Sequence, residues 1–276
     1  MDNCIRHTQQ HQKDVSHKRN PRFGFLFLLI VISSCKPQPD PLQPPVIPIA
    51  RYVSKIANAE TEFREYQYNA QHALTKYTSQ FVNGAGISRL ITDYTYSNSV
   101  ITKAESISGR VEYVTEAGKV VATKYFSING VLRSTIQYRY NNKGQLKEWI
   151  EQVSNPHTNE PVESKQIYEY HPDGNVKRIE HFYRLSLTAP FTSMGGTLYD
   201  RYDRYRNPEL LLGTPLYLPC VFVMINNPGR LQHFTSDGAV HQINLLEYTY
   251  YADGMIATKK SSLSNSPVSI LYTYTY

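Results

Sequence analysis

Cysteine is scarce in this chain, with Cys4, Cys35 and Cys220 the only three among 276 residues. No disulfide framework is visible in so few, so the fold is expected to be held by its own packing. The later histidines, His72, His157, His171, His181, His233 and His241, never fall at metal-ligand spacing with another His, Cys or carboxylate. A zinc site needs three or four convergent ligands, so no metal and no cofactor is expected. There is no G-x-S-x-G elbow and no phosphate-cradling loop, and with no catalytic constellation the chain reads as a non-enzyme. Helical periodicity is missing as well. The apolar run F-G-F-L-F-L-L-I-V-I, Phe23 to Ile32, is too short for a membrane-spanning helix, which takes roughly 20 residues.

That run has a different meaning. Arg6, Lys13, Lys18, Arg19 and Arg22 precede it and Ser33-Ser34-Cys35 follows. A basic region, a short apolar region and small residues make a secretory signal. I-S-S-C further resembles a lipobox, so residues 1–34 are expected to be a lipoprotein signal peptide, with lipid carried on Cys35. Residues 35–50 then form a tether. Lys36 to Pro48 holds six prolines, and proline makes such a segment extended and semi-rigid. Removing the leader's five basic and two acidic residues from 29 and 23 leaves 24 against 21, a net +3. Charges of both signs are interspersed along the strands, so no nucleic acid is expected as a partner.

What the chain has in quantity is tyrosine, 23 residues, all after Arg51. They recur in a repeat: Tyr-x-Tyr, four residues ending in Gly, one residue, then an aliphatic one. Copies start at Tyr138 (Gly144, Leu146), Tyr168 (Gly174, Val176) and Tyr248 (Gly254, Ile256). Phe126, Gly130 and Leu132 keep the spacing, Tyr66 and Tyr94 begin degenerate copies, and Glu116 to Gly118 makes a further turn. In H-P-D-G, Pro172 suits the second position of a type I turn and Gly174 the left-handed position after it. This is a hairpin with a glycine bulge. Alternation puts both tyrosines of a pair on one face. Residues 51–276 are therefore expected to be one all-β domain, an antiparallel meander of repeated hairpins forming a curved sheet or a partly open barrel.

The repeats pause over residues 185–242, which read as a mostly irregular insertion. Asn207 to Gly213 has the caps of one helical turn. Leu216 to Ile225 is the most apolar stretch after the leader and is expected to cover one face of the sheet, with Cys220 buried in it as a small hydrophobe. Asp200 and Asp203 could hold a cation but are more simply neutralised by Arg201 and Arg204. Tyr199, Tyr202, Tyr205 and Tyr217 stand beside the apolar run and are the candidate ligand-binding residues. Tyrosine offers a rigid face and a polar tip to sugars or peptides.

The copies at Tyr138, Tyr168 and Tyr248, with Y-D-R-Y-R-N-P from Tyr202 to Pro208 and the ending Y-T-Y-T-Y, resemble tyrosine–aspartate (YD) repeat proteins. They are more similar still to uncharacterised Bacteroidota lipoproteins with a porin-like domain of unknown function. The resemblance spans roughly residues 51–276. It implies an open or partly closed barrel of hairpins, an envelope location, and no known reaction. The reading is a lipoprotein of the cell envelope, anchored in the outer membrane by its N-terminal lipid. A Tyr-rich face would bind a carbohydrate, peptide or protein. An integral outer-membrane barrel and a purely structural envelope protein are the alternatives. The former sits poorly with strands such as Q-Y-R-Y and L-K-E-W-I-E, which carry charge throughout.

Overall fold

The computed structural model describes residues 52–154, 160–209 and 217–276. Cys35, the signal peptide and the tether lie outside the described residues. The meander opens with β1 (Lys55–Ala59), β2 (Glu62–Tyr68), β3 (Leu74–Asn83) and β4 (Gly86–Ser97). It continues through β5 (Val100–Ser106), β6 (Gly109–Glu116), β7 (Lys119–Ser127) and β8 (Leu132–Tyr140). The second half comprises β9 (Leu146–Ser154), β10 (Pro161–Tyr170), β11 (Val176–Arg184) and β12 (Thr192–Asp200). Four more strands complete it: β13 (Arg230–Phe234), β14 (Val240–Tyr250), β15 (Ile256–Leu263) and β16 (Ser269–Thr275). All neighbours are antiparallel, and β1 pairs with β16 through Lys55↔Thr275, Ile56↔Tyr274 and Ala57↔Thr273. The curved sheet therefore closes into a barrel of 16 strands. Closure removes every sheet edge.

Strand alternation divides the side chains cleanly. Tyr138 opposite Trp149 and Tyr168 opposite Ile179 point inward, and all four are buried. Arg139 opposite Glu148 and Glu163 opposite Arg184 point outward. In this register every strand but β16 shows a charged residue outside. Ion pairs such as Lys55–Glu65, Lys76–Asp93, Arg139–Glu148 and Lys260–Glu247 run around the wall. The core is the barrel interior, rich in tyrosine, isoleucine and valine.

The repeat now has a physical meaning. At the second tyrosine of each pair the ladder shifts register, as between Arg139 and Tyr140 or Glu169 and Tyr170. The glycine of each turn adopts positive φ, 78° at Gly144 and 92° at Gly174, as the bulged hairpin requires. The stagger of the barrel leaves the start of the following strand beyond the last ladder pair with the next hairpin. Thus Ile167↔Glu148 is the last pair of β10 with β9, and Leu146 lies past it. The second tyrosine of the next pair fills the gap, with Tyr170 Oη donating to the Leu146 carbonyl at 2.7 Å. Tyr68 does the same for Val53, Tyr96 for Leu74, Tyr140 for Val120 and Tyr276 for Ile256. Burial pushes the Tyr140 phenol up to about 12, so the hydroxyl remains a donor. Thr115 occupies the second-tyrosine place in β6. Its shorter side chain leaves a buried hydroxyl without a partner. The Phe126 copy keeps the turn at Gly130 but sits at the opposite rim, where Phe126 faces outward beneath Arg110.

The insertion is shorter than the sequence pattern suggests. Residues 192–200 and 230–234 belong to the regular strands β12 and β13, so the true interruption is 201–229. Their regularity escapes the repeat pattern because β12 ends in Thr197-Leu198-Tyr199-Asp200 and carries no Tyr-x-Tyr pair, with the glycines Gly195 and Gly196 in its middle. A Cβ at Gly196 would stand 2.1 Å from the Ile179 carbonyl oxygen, so the close approach of β11 excludes a side chain there. Of the expected helical turn, Asn207 to Glu209 is described and is not helical, although Asn207 Oδ1 caps the Glu209 amide at 2.9 Å. Cys220 is exposed, at φ 62°. It is thus not the buried small hydrophobe that its apolar surroundings suggested.

Each tyrosine brace that is lost exposes a carbonyl with no replacement donor. Tyr140→Phe and Tyr170→Phe are each expected to cost on the order of 1 kcal/mol of unfolding free energy. Tyr183→Phe, at a half-exposed tyrosine of β11, should cost little. Chemical denaturation of the three variants tests this, and equal stability of all three would remove the bracing role.

Candidate functional site

The described residues of the interruption, 201–209 and 217–229, lie at the rim that carries the tyrosine-braced turns and pack into the interior. Tyr217, Leu218, Val223 and Met224 join the same buried cluster as Tyr66, Leu146, Trp149 and Ile179. It is a plug, not a cover on an open face. A sheet closed on itself has no free face, only an interior. The turn H-P-D-G-N clamps it: Asn175 is fully buried, and its Oδ1 accepts the amides of Ile225 (2.9 Å) and Asn226 (2.8 Å). Val176 N–H donates to the Val223 carbonyl at 3.0 Å.

A second latch is ionic. Glu209, its side chain 5% exposed, reaches Lys259 of β15 at 2.5 Å and Arg64 of β2 at 3.6 Å. Tyr274 of β16 donates its hydroxyl to the same carboxylate. Arg64 and Lys259 point inward by register, opposite Ser79 and Tyr248. Burial alone would raise the Glu209 carboxyl, but the two cations and the hydrogen bonds outweigh it and hold it below the ordinary carboxylate value.

Between the plug and the wall from β2 to β7 lies a cavity of about 410 Å³. Tyr217 of the plug closes one side, edge-on to Tyr94 at 5.4 Å. Tyr77, Tyr113 and Tyr125 line the wall with Thr92 and Val111. Ser106 at the end of β5, Ser108 of the β5–β6 turn and the partly exposed Tyr125 form the other side, at the rim away from the plug. Tyr113 is 9% exposed, and its buried hydroxyl has no hydrogen-bond partner. Of the lining's charges, Arg64 is matched by Glu209 and Glu105 by Lys103.

The four tyrosines singled out in the sequence are not gathered in one place. Tyr217 lines the cavity. Tyr202 braces the Val176 carbonyl at 2.6 Å, with its ring edge-on to His171 at 6.1 Å. Tyr205 stacks on Tyr250 at 4.0 Å, and Tyr199 is part of the β12 wall. Asp200 is neutralised by Arg230 across the β12–β13 ladder, not by Arg201. Asp203 accepts the Tyr205 and Asn227 amides and the Tyr250 hydroxyl. Among the described residues no three His, Cys, Asp or Glu side chains gather as metal ligands. Tyr77, Tyr94, Tyr113 and Tyr125 were the cavity residues that sequence reasoning missed. They belong to degenerate repeats or lone strands, and only their common inward register marks them.

No family model and no curated protein matches the chain. Solved structures do. A porin-like protein from Bacteroides uniformis matches 81% of this chain and 96% of its own at 13% identity, with a TM-score of 0.54. One from Bacteroides vulgatus, also porin-like, matches 82% of this chain and 99% of its own at 13% identity, with a TM-score of 0.39. The first likeness establishes the class of fold, a porin-like barrel. It agrees with the porin-like half of the resemblance seen in the sequence. The YD-repeat half rests on the turn motif alone.

The Glu209 latch should be acid-sensitive. Its folded carboxyl is harder to protonate than in the unfolded chain, where the ordinary value is about 4.3. Its contribution is therefore complete above that value and is lost as pH falls through the lower folded one. Glu209→Gln, which leaves the partly enclosed Arg64 and Lys259 without their shared carboxylate, should cost roughly 3 kcal/mol at pH 7. It should also lack the wild type's loss below about pH 4. Denaturation curves from pH 7 to 3 check both, and a variant as stable as wild type at pH 7 would exclude the latch.

Proposed function

We propose that the chain is a non-enzymatic protein of the cell envelope, a plugged barrel with a water-facing wall, tethered to the outer membrane by a lipid on Cys35. One observation carries this reading. A transmembrane barrel needs an outward apolar band about 25 Å tall, whereas 15 of these 16 strands present charge outside. Most aromatic side chains lie inside and most ion pairs outside, the reverse of a porin, with the Glu209 cluster as the interior exception. A 16-stranded wall would otherwise enclose an aqueous channel; here a plug packs into the interior from one rim. The barrel thus serves as a rigid holder for an interior site. Binding of a carbohydrate, peptide or protein there is the activity such a holder supports.

The porin-like fold itself supports a second reading, an integral barrel. Its local support is at the rim away from the plug, where Ile107 (77% exposed), Ile128 (74%), Val268 (69%) and Leu185 (67%) stand on turn tips, with Ile87, Met194 and Leu271 exposed on the strand ends behind them. These residues could meet lipid; the same strands, β16 excepted, also carry charge elsewhere along the wall.

Cell fractionation separates the two. Wild type should float with membranes and carry an acylated N-terminal Cys35. Residues 36–276, exported behind an ordinary cleavable signal, should be soluble and folded without detergent. Retention of that form in carbonate-washed membranes would establish the integral barrel. A Cys35 found unacylated, or in a disulfide with Cys220, would overturn the lipid anchor.

A further inference from the structure

We infer that the cavity between Tyr217 and the β2–β7 wall is a binding site for a neutral saccharide of one or two rings. This does not depend on how the chain is anchored, and it places binding away from Tyr202 and Tyr205, whose side chains are engaged in bracing and stacking.

Four observations converge on that chemistry. The first is size: about 410 Å³ lies toward the small end of ligand pockets, which run from about 300 to 1,000 Å³. The second is charge. Arg64 and Glu105 are the lining's charged residues, and each has an ion partner outside the cavity, Glu209 and Lys103. No unmatched charge is left to select an anion or a cation. The third is the surface offered. Tyr77, Tyr94, Tyr113, Tyr125 and Tyr217 present aromatic rings, and Thr92, Ser106 and Ser108 add hydroxyls. Flat apolar faces beside hydroxyl groups match a sugar ring, whose C–H faces stack on aromatics while its hydroxyls exchange hydrogen bonds.

The fourth is the orphan. Tyr113 keeps a buried hydroxyl with no partner, although tyrosine hydroxyls usually find one when buried. Two tyrosines near it are matched: Tyr96 donates to the Leu74 carbonyl at 2.8 Å, and Tyr138 shares a hydrogen bond with Thr123 at 3.1 Å. A buried hydroxyl left unmatched is costly, about 1–3 kcal/mol. In a cavity edge it is a donor and acceptor ready for a ligand hydroxyl. The sector is also where the brace pattern lapses, at Thr115 of the same strand. Access is from the rim opposite the plug, past the exposed Ser108.

The test uses the full-length processed protein and saturation-transfer NMR, followed by calorimetry. The probes are glucose, N-acetylglucosamine and maltose, with glucuronate and glucosamine as charged analogues and phenol as an apolar ring. At least one neutral sugar should bind saturably, and the charged analogue of the same ring should bind at least tenfold more weakly. Tyr113→Phe removes only the hydroxyl and should weaken the sugar about fivefold while leaving the melting temperature unchanged or raised. Tyr183→Phe should leave affinity unchanged. If no neutral sugar binds saturably, the cavity holds water only and the inference fails. Equal affinity in wild type and Tyr113→Phe, or preference for a charged analogue or phenol, also overturns it.

Discussion

The barrel depends on a hydrogen bond that is not part of its ladders. Staggered strands leave the first carbonyl of each returning strand beyond the reach of the next hairpin's backbone. A buried carbonyl without a donor is costly, and water is a poor substitute inside an aromatic interior. The second tyrosine of the neighbouring repeat supplies the donor at Val53, Leu74, Val120, Leu146 and Ile256. Each bond joins one hairpin to the one before it. The bond from Tyr276 back to Ile256, with the ladder from β16 to β1, continues this chain of contacts to the closure.

The braces also fix which side of the sheet is dry. A tyrosine can cap a carbonyl at the inner rim only if its ring lies inside, so its partner two residues earlier lies inside too. The intervening residue then faces out, and in the Tyr-x-Tyr pairs it is polar or charged, as at Thr95, Arg139, Glu169 and Thr249. Cations and carboxylates thus face one another on adjacent strands of the outer surface, where pairs of this kind contribute little to stability. The interior, too wide for wall side chains to fill at 16 strands, takes in the described residues between β12 and β13. Asn175, Asp203 and Glu209 hold that segment at separate points, so its placement is specified by polar bonds and not only by apolar burial.

The turn chemistry was legible from the start. Gly144, Gly174 and Gly254 have the positive φ that the bulged hairpin demands, and alternation places each tyrosine pair on one face, as observed. Legibility failed where a residue's role depends on a partner far along the chain. Asp200 was matched to its neighbour Arg201, but pairs with Arg230, because a side chain on a strand meets the strand beside it sooner than its own successor. The apolar run ending at Ile225 was understood as a cover, since nothing local shows that the sheet has no open face left to cover.

What the sequence determined by itself was therefore local and periodic: hairpins, their bulges, the inward tyrosines and the charged alternate residues. These follow from backbone conformational limits and the two-residue repeat of a strand, which need no distant contact. Closure, the plug, the Glu209 latch to Arg64 and Lys259, and the cavity beside Tyr113 were decided only in three dimensions. Each depends on strand number and shear, which set the interior's width, and those are properties of the whole sheet that no window of residues encodes.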